Sequence, residues 1–352
     1  MKILKIGTVI SIILALSLLT ACQKPETATK DEKIKTSTPE KKSDTVEIPA
    51  FPENCGAVDT AIKNLEKSYS PEDLNRLNQL FKKCVASVPL ETRYEWIDQS
   101  DKIYEYQISK LPKNVQNYIT QLSDDVSSSD KKALAQLYKK MTHQEQYIAK
   151  NHKVLYLYQY NLGEGDYSVA QDPRYKLEIF AASLPEADQI YLKEIVKQVN
   201  AIDGSIDKDA GLSASFTELG NWIIFWENYL TQYPNSHFNK QVKNTIKFYQ
   251  GYLFRGLENT PVFEIGDYTV KLDSDADKAI HSLAKTTSPS GEKAKKFLNY
   301  FNHYPFSKTP YDEKTGSQAD YNLFINETLE GVKRFKENNW NDLNKLLDLD
   351  HL

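Results

Sequence analysis

Along most of this chain, apolar residues recur at helical spacing until a proline stops them, and that punctuation constrains the fold more than any other feature. From Asn221, the residues Trp222, Phe225, Trp226, Tyr229, Leu230 and Tyr233 fall at i, i+3, i+4, i+7, i+8 and i+11, one face of an α-helix. Pro234 ends that helix. After Ser236, a residue suited to cap a second helix, Val242, Ile246, Tyr249, Leu253 and Leu257 resume the spacing. Two helices joined by so short a turn must lie antiparallel and share their apolar faces. Similar breaks stand at Val88-Pro89, Leu111-Pro112, Leu184-Pro185 and Tyr304-Pro305. Glycine is scarce, at 13 of 352 residues, and tyrosine abundant, at 22, which suits helices that pack through aromatic faces. The expectation is an all-α fold of stacked antiparallel helical hairpins, solenoid-like in build.

One segment breaks the helical pattern. Val262 to Ile265 and Tyr268 to Leu272 have strand composition on either side of Gly266-Asp267, which predicts a single small β-hairpin. Asp273 and Ser274 then offer caps for a helix through Ala276, Ile280 and Leu283. A lone hairpin is marginal in water, so this one must pack on the helices or pair with something else, as connector or as contact element. Two loops are expected, over 203–215 and 305–318, and the first is where the body from 54 to 352 would divide into two subdomains. In the second, Tyr304, Phe306 and Tyr311 crowd an otherwise polar turn.

The chain has three cysteines. Cys55 and Cys84 flank two helical patterns, one with Val58, Ala61, Ile62 and Leu65, the other with Leu74, Leu77, Phe81 and Val85. Ser70 can cap the second helix and Pro71 take its first position. Folding the chain back about Tyr69 and Ser70 leaves the two cysteines equidistant from the turn, which predicts a disulfide.

The third cysteine closes a different pattern. Lys2 and Lys5 precede an apolar stretch, Ile6 to Ala21, of sixteen residues, short of the roughly twenty an α-helix needs to span a bilayer. It ends in Leu19-Thr20-Ala21-Cys22. This order resembles a bacterial lipoprotein signal. The resemblance implies a signal peptide over 1–21, a diacylglycerol on the Cys22 thiol and a further acyl chain, such as palmitate, on its amine. Gln23, where inner-membrane members carry Asp, implies the periplasmic leaflet of the outer membrane. Residues 22–53 are rich in Lys, Glu, Thr, Ser and Pro and too poor in apolar residues to fold alone, so they read as a lipidated, disordered tether. Its r.m.s. span would be roughly 30 Å. An oxidising periplasm fits the Cys55–Cys84 pair.

Loss of Lys2 and Lys5 takes the formal net charge from −4 to −6, and with no long basic run a nucleic-acid surface has no support. Catalytic motifs are absent: no HExxH, GxSxG, Walker loop or GxGxxG occurs. His143 and His152 lack helical ligand spacing, so no metal and no cofactor is expected. Gly163-Glu164-Gly165-Asp166 reads as a helix-ending turn. Lytic transglycosylases share the compartment and a helical build, and they use a protonated acid in a partly apolar cleft. Glu218 and Glu227 flank the aromatic helix, but the Glu-Ser signature of that family is missing. Glu218 reads as a helix N-terminal acid and Glu227 as solvent-facing. Tyr156, Tyr158 and Tyr160, with Tyr147 and Tyr167 nearby, could stack on a ligand or pack in a core; on a helix, positions two apart would face different ways.

Asn228-Tyr229-Leu230-Thr231-Gln232-Tyr233-Pro234-Asn235-Ser236 matches Asn299-Tyr300-Phe301-Asn302-His303-Tyr304-Pro305-Phe306-Ser307 at Asn, Tyr, Tyr, Pro and Ser. A helix ending in Tyr-Pro-x-Ser before another resembles the linkage in tetratricopeptide-like envelope lipoproteins, although a proline opening the next helix gives much the same match. That resemblance implies a concave surface for an extended peptide or protein. The expectation is therefore a non-enzymatic, lipid-anchored periplasmic binding or scaffolding protein of the outer envelope, recognising a protein or peptide. The alternatives are a peptidoglycan-binding or peptidoglycan-cleaving lipoprotein and a small-ligand carrier with an aromatic pocket. The candidate partner-binding residues are Trp222, Trp226, Tyr229, Tyr304, Phe306 and Tyr311.

Overall fold

Cys55 and Cys84 are joined by a disulfide with 5.6 Å between their Cα atoms, and the helices they clamp are the first two of the fold. α1 (Val58–Leu65) buries Val58, Ala61, Ile62 and Leu65, and α2 (Pro71–Cys84) buries Leu74, Leu77, Leu80 and Phe81. The Ser70 hydroxyl accepts from Asp73 N, and Pro71 stands at the start of α2, as the local sequence requires. The structure is a computed structural model that describes residues 54–122, 128–266, 269–307, 312 and 314–347. The signal segment, Cys22, the tether and Tyr311 lie outside the described residues.

α3 (Leu90–Ser109) and α4 (Lys113–Thr120) each begin one residue after a proline, Pro89 and Pro112. The Gln107 amide of α3 fastens the α1–α2 turn: its Nε2 donates to Leu65 O at 3.1 Å and Ser68 O at 2.8 Å, and its Oε1 accepts from Ser70 N at 3.1 Å. α5 (Ser128–Lys140) and α6 (His143–Asn151) follow, the latter behind a Thr142–Glu145 capping box.

The tyrosine-rich run then departs from the helical expectation. β1 (Leu157–Gly163) pairs antiparallel with β2 (Asp166–Gln171), and Gly163-Glu164-Gly165-Asp166 is a hairpin turn, not a helix end. Glu164 at φ 50° and Gly165 at φ 80° are the two left-handed central residues that a tight hairpin turn needs. Tyr158 and Tyr160 therefore share a sheet face, their ring centroids 6.3 Å apart, where a helix would have turned them apart.

α7 (Arg174–Ile179) leads to α8 (Glu186–Ile202), which starts after Pro185. The expected 203–215 loop contains a minimal hairpin, β3 (Asp207–Lys208) with β4 (Gly211–Leu212). α9 (Phe216–Gln232) and α10 (Asn239–Arg255) form the antiparallel pair that the Pro234 break predicts. Ser236 does not cap α10. Its hydroxyl donates to Asp188 Oδ1 at 2.7 Å, and α10 starts without a side-chain cap. Leu257 lies past the helix, which stops before Gly256 at φ 64°.

β5 (Phe263–Ile265) and β6 (Val270–Leu272) form the predicted hairpin, with Phe263 opposite Leu272 and Ile265 opposite Val270. Gly266 N donates to Thr269 O at 2.8 Å, so the turn closes one residue later than Gly266-Asp267 suggested. Asp273 caps α11 (Ser274–Ala284), accepting from Asp275 N and Ala276 N. α12 (Pro289–His303) and the long α13 (Gln318–Leu347) complete an all-α architecture with three small two-stranded sheets among the described residues. One hydrophobic cluster runs from Val58 to Leu347, and Ile202, Ile206, Ala214 and Phe216 at the 203–215 segment belong to it.

Candidate functional site

Of the six candidate partner-binding residues, Tyr311 lies outside the described residues and the other five divide into a buried set and a rim. Trp226 is fully buried, Tyr229 is 3% exposed and Trp222 8% exposed, so these three are not a contact surface. Their helix face is aromatic because α8 and α10 cover it. Trp226 Nε1 donates to Gln198 Oε1 at 3.0 Å, Tyr249 Oη donates to the same oxygen at 2.9 Å, and Gln198 Nε2 donates to Glu194 Oε1 at 2.9 Å. Each buried donor thus has an acceptor within a core that would otherwise penalise it.

Tyr229 belongs to a second buried network that the sequence did not announce. Asp188, in the first turn of α8 and 1% exposed, accepts from the Tyr94 hydroxyl on Oδ2 and from Ser236 Oγ on Oδ1. Tyr229 Oη donates to Ala187 O at 3.0 Å and lies 2.7 Å from Ser236 Oγ. Burial pushes the Tyr229 hydroxyl up to about 12, and burial with the Asp188 carboxylate pushes Tyr94 well above the usual tyrosine range. The Tyr94 ring stacks on His237, with centroids 3.8 Å apart and planes 3° from parallel. This network ties α3, α8 and α9 to the Tyr-Pro-x-Ser turn. Its partners are separated by up to 94 residues in sequence, which is why no local signal marks them.

Tyr304 and Phe306 stand elsewhere, half-buried on an aromatic cluster where β5, the end of α12 and α13 meet. Tyr304 lies 4.8 Å from Phe306 and 5.0 Å from Phe335; Phe306 lies 5.3 Å from Phe301, 5.3 Å from Phe335 and 6.1 Å from Phe263. The inner rings Phe263, Phe301 and Phe335 are buried, while Tyr304 and Phe306 form the edge. Ile265, 42% exposed, prolongs the same strand face as Phe263. α13 approaches this segment so closely that a Cβ on Gly331 would clash with the Phe306 backbone. The rim offers apolar and aromatic contact with few polar atoms, the chemistry that receives a side chain of a peptide or protein.

The acids weighed for transglycosylase chemistry are both engaged as helix caps. Glu218 closes a capping box, its Oε2 accepting from Ser215 N at 2.9 Å and Ser215 Oγ at 2.8 Å. Glu227 is half-buried instead of solvent-facing, because its Oε1 accepts from Ser290 N at 2.8 Å and Ser290 Oγ at 2.6 Å at the start of α12. A cavity lined by Tyr69, Pro71, Leu74, Gln107 and Leu155 measures about 10 Å³, the room of about one water and far below the roughly 300–1,000 Å³ of small-molecule sites. Among the described residues no group of His, Cys, Asp and Glu is placed to hold a metal ion, and no helix is long and apolar enough to cross a membrane.

No protein-family model, curated protein or solved structure matches the chain.

Proposed function

We propose that the chain is a lipid-anchored periplasmic binding or scaffolding protein of the bacterial outer envelope, held by an acylated Cys22 and recognising a protein or peptide partner. The observation that carries this reading is the order of two lysines, a short apolar stretch and Leu19-Thr20-Ala21-Cys22, followed by a polar segment leading to a folded body. The disulfide supports an oxidising compartment. Glu218 Oε2 and Glu227 Oε1 serve as helix-capping acceptors, a structural role that favours binding over peptidoglycan cleavage by these two acids. The aromatic edge at Tyr304 and Phe306, with Ile265 beside it, is the contact surface in this account.

The test is a photo-crosslinking residue placed at Ile265 in the full chain, expressed in bacteria and irradiated in intact envelopes. A discrete adduct that is lost with Cys22→Ser is the expected result. An adduct pattern unaffected by Cys22→Ser, or none at all, would count against the reading. Purified mature protein that releases soluble muropeptides from sacculi would instead establish the peptidoglycan-cleaving alternative.

A further inference from the structure

The exposed arc of α10 is basic. Lys240, Lys243, Lys247, Asn244 and Phe248 occupy one side of that helix, with Lys240, Lys243, Asn244 and Phe248 exposed and Lys247 half-buried. The thirty residues from Asn228 to Leu257 include Lys240, Lys243, Lys247 and Arg255 and no Asp or Glu, in a chain whose formal net charge is −4. Among the described residues no carboxylate forms an ion pair with Lys240, Lys243 or Lys247. Two acids on neighbouring helices are engaged elsewhere: Glu227 caps α12 through Ser290, and Glu292 pairs with Lys295 at 2.6 Å.

The row continues onto α12. Lys293 Nζ donates to Gln250 Oε1 at 3.2 Å, which sets the cationic first turns of α12 beside the C-terminal half of α10, where Phe254 and Phe297 pack 5.2 Å apart. Lys296, exposed and one turn further on, extends the same flank. Phe248, 39% exposed, borders the lysines, its ring 4.7 Å from Tyr252. From Lys240 to Lys247 the row spans about 10 Å along the axis. It lies on the convex outside of a helix, so it presents charges to a broad surface.

We propose that this face of α10 docks on an anionic lipid surface, with the lysines beside the headgroups and Phe248 in the interface. Charge complementarity requires an anionic occupant. An exposed aromatic beside lysines is the pattern of interfacial helices, in which the lysines face anionic headgroups and the apolar ring enters the interface. The choice of a bilayer over an acidic protein rests on the anchor proposed at Cys22; the lysine face itself does not. The tether would keep α10 within reach of the leaflet, with a high effective concentration.

The experiment uses the full chain carrying Cys22→Ser, so that no acyl chain contributes, and measures co-sedimentation with phosphatidylcholine vesicles with and without phosphatidylglycerol. Each lysine near an anionic surface contributes about fivefold, so Lys240→Gln, Lys243→Gln and Lys247→Gln together should weaken binding to the anionic vesicles about a hundredfold. Binding should fall with added salt, and Phe248→Ser should weaken it further, while circular dichroism stays unchanged because all four positions lie on the outer face. The same N-terminal segment is present in every variant, so its contribution cancels in the ratios. Equal binding to both vesicle types, or no loss in the triple variant, would overturn the proposal. Binding to soluble polyglutamate as tight as to vesicles, and indifferent to Phe248→Ser, would replace the lipid with an acidic protein. Loss of acylation at Cys22, measured separately, would remove the anchor without altering these ratios.

Discussion

Replacing Cys55 by Ser removes one covalent link while leaving the core around it filled. Cys55 is half-buried at the start of the α1–α2 hairpin, and Cys84, fully buried, stays behind as a small apolar side chain. The bridge spans 29 residues of sequence, so the chain-entropy relation gives about 12 cal/mol/K, or about 3.6 kcal/mol at 25 °C. For a body of roughly 290 residues with an unfolding entropy of about 2.1 cal/mol/K per residue, that loss lowers Tm by about 6 °C. Urea unfolding of Cys55→Ser against the oxidised protein measures the difference directly. Reductant should bring the unaltered protein to the same midpoint and leave the variant unmoved. A loss under about 1 kcal/mol would refute the reasoning. It would mean that α1 and α2 remain paired in the unfolded chain, so that the bridge has little entropy left to remove.

Gln198→Leu should cost roughly 2–4 kcal/mol in urea unfolding, since Trp226 Nε1 and Tyr249 Oη lose their shared acceptor in the core; a loss under about 1 kcal/mol would contradict that network. Gly331→Ala, whose Cβ would clash with the Phe306 backbone, should lose about 1–3 kcal/mol and make α13 more sensitive to limited proteolysis, and unchanged cleavage would show that the Tyr304–Ser307 segment yields freely. Alkaline pH should unfold the protein in a stated window. Tyr229 is raised by burial from 10.0 to about 12, so the unfolded chain loses that proton first and stability falls as pH climbs from about 10 to about 12. Tyr191 and Tyr249 are raised by burial as well and act in the same direction. Tyrosinate absorbance should rise together with loss of the helical dichroism signal, and ionisation of all tyrosines before any loss of helix would contradict this.

The helices were legible because proline and the 3.6-residue period act locally. Pro89, Pro112 and Pro185 each immediately precede a helix, and the Ser70-Pro71 start is present as read. The β1–β2 hairpin was missed although its signal lies in the chain: Tyr156, Tyr158 and Tyr160 alternate, and the Glu164-Gly165 turn follows. Aromatic residues every second position fit a strand; the surrounding helices biased the period. The Trp222, Trp226 and Tyr229 set shows a different limit of periodicity. Spacing shows that side chains share a face, but only the partner helices determine that α8 and α10 cover it. Glu227 looked solvent-facing because its partner, Ser290, lies 63 residues further along the chain. Tyr304 and Phe306 stayed at the edge because the chain leaves α12 there, and the aromatic crowding in a polar turn was the signal that found them.

The central claim, an acylated Cys22 holding this body at the envelope, is tested most directly by the intact mass and N-terminal sequence of the protein extracted from bacterial membranes. The account predicts a chain beginning at Cys22, heavier than the mature sequence by a diacylglycerol and an amide-linked acyl chain, with both additions absent in Cys22→Ser. A chain that retains residues 1–21, or begins at Cys22 with no added mass, would contradict it.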